Sequence, residues 1–184
     1  MNVFDFDKTI YCSDSTVDFY LFCLKRHPGI IKYLPRQVWG IVKYKFRLCT
    51  KEFMKEAFFS FLGSIKDVDY EIDTFVKKNV CKIQKWYMDI HKKTDVVISA
   101  SPEFIIEKFS QETTGFKVIA SKVDKKTGKF QSLNCYGEEK VRRFRERFPE
   151  DNIECFYSDS HSDLPMAHIA KKAYLVKRGE LTSF

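Results

Sequence analysis

Apolar residues along this chain fall into two textures. Short runs rich in Val, Ile and Phe stand at residues 3–6, 95–99, 117–120, 153–157 and 173–176. Runs of that length, closed by polar or small residues, predict buried strands. Between the first and second runs the spacing is helical. Val17, Tyr20, Leu21 and Leu24 recur three to four apart, and His27-Pro28-Gly29 breaks that helix. Leu34-Pro35 interrupts the next stretch. Residues 51–62 predict a helix with Phe53, Met54, Ala57, Phe58 and Phe61 on one face. Residues 71–91 continue the pattern through Ile72, Phe75, Val76, Val80 and Ile83.

After the second strand, Pro102 suits the opening of a helix because it needs no amide donor there. Phe104, Ile105, Lys108 and Phe109 carry that helix. Lys125-Lys126-Thr127-Gly128 reads as a hairpin turn between residues 121–124 and 129–133, and residues 138–148 as a basic helix. Strands alternating with helices imply a parallel sheet covered on both faces. The expected fold is therefore α/β, a Rossmann-like three-layer sandwich with a parallel five-stranded sheet. The helical stretch after the first strand is too long for a simple crossover. It predicts an α-helical cap at residues 13–86, inserted into a core of residues 1–12 and 87–184.

Composition narrows the classes. The 184 residues suit one core plus an insertion, and 44% hydrophobic content is enough to build one. No apolar run approaches the roughly 18 residues of a membrane span. Acidic residues at positions 5 and 7 do not fit a cleaved leader, so a cytoplasmic protein is expected. The six cysteines form no C-x-x-C pair, which indicates neither zinc nor a redox motif. The net charge of +7 is uneven. From Phe19 to Lys51 the chain carries Lys25, Arg26, Lys32, Arg36, Lys43, Lys45, Arg47 and Lys51 and no acid. Such a segment is either a solvated helical face or a surface for anions.

Four polar clusters sit where strands or turns end. They are Asp5-Phe6-Asp7-Lys8-Thr9, Ser99-Ala100-Ser101, Lys140, and Asp159-Ser160-His161-Ser162-Asp163. In open α/β sheets ligands gather at the carboxyl ends of strands. Two carboxylates one residue apart repel unless a metal or a chemical task holds them. Phosphoryl transfer to a carboxylate is such a task. Asp5 would be the nucleophile, and Asp7 would protonate the leaving oxygen and then activate water. Asp159 would supply a carboxylate to Mg²⁺, and Asp163 would orient the metal's waters or Lys140. Ser99 would donate to a phosphate oxygen and Lys140 would neutralise one. Ser99 could instead cap the following helix.

This ordered set resembles the haloacid dehalogenase superfamily, most closely its phosphoserine phosphatase-like branch with a helical cap. The resemblance covers nearly the whole chain. It implies Asp5 as nucleophile and Asp7 as acid/base, with Mg²⁺ held by the Asp5 carboxylate, the Asp7 backbone carbonyl and the Asp159 carboxylate. It also implies that an aspartate at position 7 separates phosphatases from the dehalogenases. Thr9, Asp14, Ala100 and Ser101 are the candidates on the substrate side, with Thr9 expected to bond backbone near the nucleophile.

The resemblance implies a glutamate nine residues after the nucleophile in phosphoserine phosphatases, and this chain has Asp14. It implies two glycines after the strand-end serine, and this chain has Ala100 and Ser101. The expected substrate is a lipid-linked or small organic phosphate, with phosphoserine as the alternative. Residues 29–46 interleave apolar, aromatic and basic side chains, which suits peripheral contact with an anionic membrane. The plain alternative is a helix packing its apolar face on the core. A non-catalytic module binding nucleic acid or membrane is the reading from another class.

Overall fold

A computed structural model describes residues 1–113 and 115–184. Five parallel strands form the sheet: β1 (Asn2–Phe4), β2 (Val96–Pro102), β3 (Lys117–Ser121), β4 (Ile153–Ser158) and β5 (Ala170–Lys177). A sixth, β6 (Glu180–Ser183), pairs antiparallel with β5, giving the order β3-β2-β1-β4-β5-β6. The expected sheet is thus present with one strand more. Arg178 and Gly179 both have positive φ, 52° and 84°, the two-residue geometry that matches hairpin twist. The exposed side chains of β6 left no alternating pattern to read.

Along β1, alternate side chains serve opposite faces. Val3 joins Ile98, Phe144, Phe156 and Met166 beneath α7 (Glu138–Arg147) and α8 (Leu164–His168). Phe4 joins Phe6, Phe109 and Tyr157 on the other face, under α6 (Glu103–Glu112). β2 runs to Pro102, which occupies the N-cap of α6 rather than its first turn.

Between β1 and β2 lie α1 (Ser15–Arg26), α2 (Leu34–Lys45), α3 (Lys51–Phe59), α4 (Val68–Asn79) and α5 (Lys85–Ile90). The stretch expected as one helix over 71–91 is α4, a 3-10 turn at Val80–Lys82, and α5. The helix over 51–62 ends at Phe59 in a further 3-10 turn, Ser60–Ser64, and Phe53 points outward. In α1 the buried face is Ser15, Phe19, Tyr20 and Cys23, while Val17 and Leu21 are exposed. The insertion shares the sheet's core: the Phe75 ring meets Phe109 edge-on at 6.0 Å. The expected hairpin after β3 is a single bridge, Val123 to Phe130. All six cysteines are free, and no described helix is long and apolar enough to cross a membrane.

Candidate active site

β1 lies between β2 and β4, so chain connections leave it in opposite directions and open a crevice at its carboxyl end. Asp5 is the first residue past β1, anchored by its amide to the Tyr157 carbonyl at 2.8 Å. The backbone then turns through Lys8 at φ 58°, a left-handed conformation that folds Asp7 and Thr9 back over the strand end.

Lys140 is the electrostatic centre. Its ammonium is 2.7 Å from Asp5 Oδ1 and 2.7 Å from Asp163 Oδ2, and it is almost wholly buried. Burial works against that charge, yet the two carboxylates outweigh it and raise the Lys140 pKa above its ordinary value. Ser158 donates to the same Asp163 oxygen at 2.8 Å. For Asp5 the balance falls the other way. Burial pushes its carboxyl up to about 7, against the pull of Lys140.

Asp7 is clamped by two donors, the Ser15 amide at 2.6 Å and the Ser101 hydroxyl. Burial, then the nearby Asp14 charge, raise its pKa above the usual carboxylate value. Thr9 is fully buried, and its hydroxyl joins two loops. It donates to Asp5 Oδ2 at 3.4 Å and accepts from the Asp159 amide at 2.9 Å. Ser99 Oγ accepts from the Ser101 amide at 3.0 Å. Its own proton finds no acceptor among the described residues.

A cavity of about 530 Å³ opens onto Asp5, Asp7, Ser99, Lys140 and Asp159. Val17, Ile41, Met54, Phe58 and Phe59 from α1, α2 and α3 make an apolar wall. Lys51 and Lys55 add cations to it.

No three Asp, Glu, His or Cys side chains converge as a complete metal cage among the described residues. The set expected from sequence needs only two carboxylates and a backbone carbonyl. The Asp159 carboxylate accepts no hydrogen bond among the described residues, and burial raises its pKa. Asp5 Oδ2 has only the long bond from Thr9. Hard oxygen donors left without protein partners fit a small divalent cation that keeps several waters.

A sequence model of the haloacid dehalogenase-like hydrolases matches residues 3–168. The chain belongs to that family. Nothing among curated proteins matches it. Solved structures share the fold at low identity. A protein of unknown function from Bordetella pertussis is 17% identical, with TM-score 0.76 over 94% of this chain and 87% of that one. A phosphoserine phosphohydrolase-like protein from Francisella tularensis is 15% identical, with TM-score 0.55 over 94% and 86%. A phospho-aspartyl intermediate analogue of phosphoserine phosphatase is 13% identical, with TM-score 0.54 over 93% and 82%.

In this haloacid dehalogenase-like hydrolase all the residues singled out from sequence gather at one end of the sheet, but several do different work. Ser99 does not cap α6, since Pro102 holds that position. Ser101 is buried against Asp7 and also pairs with Thr16 at 3.0 Å, so it holds a carboxylate rather than facing the cavity freely. Thr9 lies behind the cavity floor, where full burial keeps it from a substrate. Asp14 caps α1 by accepting from the Val17 amide at 3.0 Å while still lining the cavity. The Ala100 carbonyl accepts from Lys55 Nζ at 2.7 Å. His161 is exposed, against Phe184.

Lys55 was missed by sequence reading. A lone lysine in an amphipathic helix carries no motif. Its ammonium also reaches Asn134 Oδ1 at 3.0 Å, and burial, then Lys51, push its pKa down to about 8.

Proposed function

We propose that this hydrolase is a Mg²⁺-dependent phosphomonoesterase that works through an aspartyl-phosphate on Asp5. The observation that carries the reading is the single cavity shared by Asp5, Asp7, Ser99, Lys140 and Asp159. Asp5 attacks phosphorus and the bond to the leaving oxygen breaks. Asp7, whose raised pKa favours the protonated form, gives its proton to that oxygen. Asp7 then takes a proton from water, which attacks phosphorus and frees Asp5. The free Ser99 proton and the Lys140 ammonium stabilise phosphate oxygens as charge builds. The Asp5 carboxylate, the Asp7 carbonyl and the Asp159 carboxylate would hold Mg²⁺, which would supply positive charge against the same oxygens.

The helices between β1 and β2 act as the cap, with boundaries near residues 13 and 86. Their apolar wall gives the body of the substrate a hydrocarbon surface, and Lys51 and Lys55 add charge for an anion. That supports an organic phosphate with an apolar part over phosphoserine, because Asp14 already spends one oxygen on the α1 cap. A purely binding role leaves the buried Asp5–Lys140–Asp163 cluster without a purpose.

The test is phosphate release from an aryl phosphate, phosphoserine and a lipid phosphate, with Mg²⁺, with chelator, and with Asp5→Asn. Turnover that needs Mg²⁺ and vanishes in the variant is expected. Absence of turnover on all three by the wild type contradicts the reading.

A further inference from the structure

Helix α2 is inverted. The residues it buries are Gln37 and Gly40. Gln37 donates to the Phe58 carbonyl at 2.9 Å. Gly40 lies so close to α3 that a Cβ there would stand 2.7 Å from the Ala57 Cβ. The apolar side chains turn to solvent instead: Trp39 is 56% exposed, Phe46 68% and Leu48 72%, beside exposed Val38, Ile41 and Val42. An ordinary surface helix does the opposite. Single exposed apolar residues need no explanation, but a continuous run of them over a helix and its C-terminal turn marks a docking face.

We propose that this face docks on an anionic lipid bilayer and brings the cavity mouth to a phosphomonoester lipid held there. Charge chooses the occupant. Lys32, Arg36, Lys43, Lys45 and Arg47 interleave with the apolar residues along this segment, and no carboxylate occurs from Phe19 to Lys51. Two copies packed through this face would set the same cations against each other, because a two-fold interface meets itself. An anionic headgroup layer attracts each of them. The aliphatic share of the patch suits acyl chains better than stacked bases, which need aromatic platforms. Lys43 Nζ lies 4.9 Å from the Trp39 ring centroid, so a cation and an aromatic ring share one level, as at membrane interfaces. The patch also runs into the site: Ile41 belongs to the exposed face and lines the cavity, together with Lys51 and Met54. The substrate half of this proposal rests on the phosphomonoesterase reading, and the docking half does not.

The experiment sediments the full chain with phosphatidylcholine vesicles, with and without phosphatidylglycerol, at low and high salt. One variant combines Trp39→Ala, Phe46→Ser and Leu48→Ser. A second combines Arg36→Glu, Lys45→Glu and Arg47→Glu. The wild type is expected on anionic vesicles only, with a roughly tenfold smaller bound fraction at high salt and in each variant. Phosphatidic acid carried in those vesicles is expected to be hydrolysed about tenfold more slowly by the first variant, with aryl phosphate turnover in solution unchanged. Asp5→Asn is expected to bind vesicles as the wild type does. No retention at low salt overturns docking. So does a wild-type dimer that the first variant abolishes, or binding to a single-stranded oligonucleotide in place of vesicles. Retention and aryl phosphate turnover without phosphatidic acid hydrolysis overturn the substrate half. Retention without any turnover overturns the phosphomonoesterase reading and leaves docking standing.

Discussion

The Lys140 ammonium lies midway between two buried carboxylates, 2.7 Å from Asp5 and 2.7 Å from Asp163, the three side chains coming from β1's end, α7 and the turn before α8. Lys140→Met strands both carboxylates away from water. Breaking such a buried pair costs about 3–5 kcal/mol. Losing one preorganised donor at the phosphate costs roughly 10²–10³ in kcat. Burial already holds the Asp5 carboxyl up at about 7, and without the lysine that opposes it the folded-state value rises further. The variant's deficit relative to the wild type therefore grows as pH rises through about 7, where the wild-type Asp5 ionises in the folded state and the variant's resists, and it is smaller below that pH. Denaturant titrations at pH 5 and pH 8 read this directly. An equal deficit at both would contradict the assignment.

Asp7 is held by Ser15 and Ser101 with its pKa raised by burial and by Asp14. If it is the acid, Asp7→Asn should slow alkyl phosphates, whose leaving alkoxide needs a proton, by roughly 10²–10⁴. Aryl phosphates leave more easily and should suffer less in the first step. The comparison is made on single-turnover rates. Equal losses for both leaving groups would remove Asp7 from proton transfer.

Some of this site was readable from sequence and some was not, for physical reasons. Asp5, Asp7 and Asp159 follow strands whose apolar runs are legible, and Ser99 lies within one, so their convergence follows from parallel topology alone. Lys140 and Asp163 were legible as part of an ordered set. That Thr9 bonds backbone beside Asp5 was legible, but which amide it meets, and the partners of Ser101, were not, because a hydroxyl's partner depends on loop geometry across 150 and 94 positions of chain. Residues 29–46 left two readings open, a face for an anionic membrane or an apolar face packed on the core. Helix α2 turns Gln37 and Gly40 inward, Gly40 permitting a close approach to Ala57, and leaves its apolar residues exposed.

Lys55 faces the cavity with its pKa pushed down to about 8 by burial and Lys51. It is charged below that pH and can pair with an anionic substrate. KM should therefore climb above about pH 8 as the proton is lost. Lys55→Arg keeps its charge and should hold KM flat through pH 9. Lys55→Met should raise KM roughly 10–100-fold at pH 7 with little further change on raising the pH, the size of a lost charged hydrogen bond. An unchanged wild-type slope in Lys55→Met would place the titrating group elsewhere.

Gly40 sets the distance between α2 and α3. Gly40→Val puts a Cβ 2.7 Å from that of Ala57, closer than real Cβ atoms approach one another, so the two helices must move apart. A loss of about 1–3 kcal/mol is expected from overpacking, measured by urea titration. Gly40→Ala should cost less than Gly40→Val. Stabilisation by either, as a surface glycine in a helix would give, would show that α2 does not pack this way.

Thr9 ties the Asp5 loop to the Asp159 loop through one hydroxyl, reaching Asp5 at 3.4 Å and the Asp159 amide at 2.9 Å. It does not line the cavity, so under the proposed mechanism its effect should pass through metal binding. Thr9→Val keeps the shape and removes both hydrogen bonds, leaving the Asp159 amide unpaired. The Mg²⁺ concentration for half-maximal activity should rise about 10–100-fold, the usual cost of losing an outer-shell partner. At saturating Mg²⁺ most of the turnover should return, because Asp5, Asp7 and Lys140 are intact. Thr9→Ser restores the hydroxyl and should restore the wild-type Mg²⁺ curve. Isothermal titration of Mg²⁺ gives a second readout independent of turnover. A Thr9→Val enzyme with unaltered Mg²⁺ affinity but a low plateau would instead make the hydroxyl a determinant of Asp5 geometry alone.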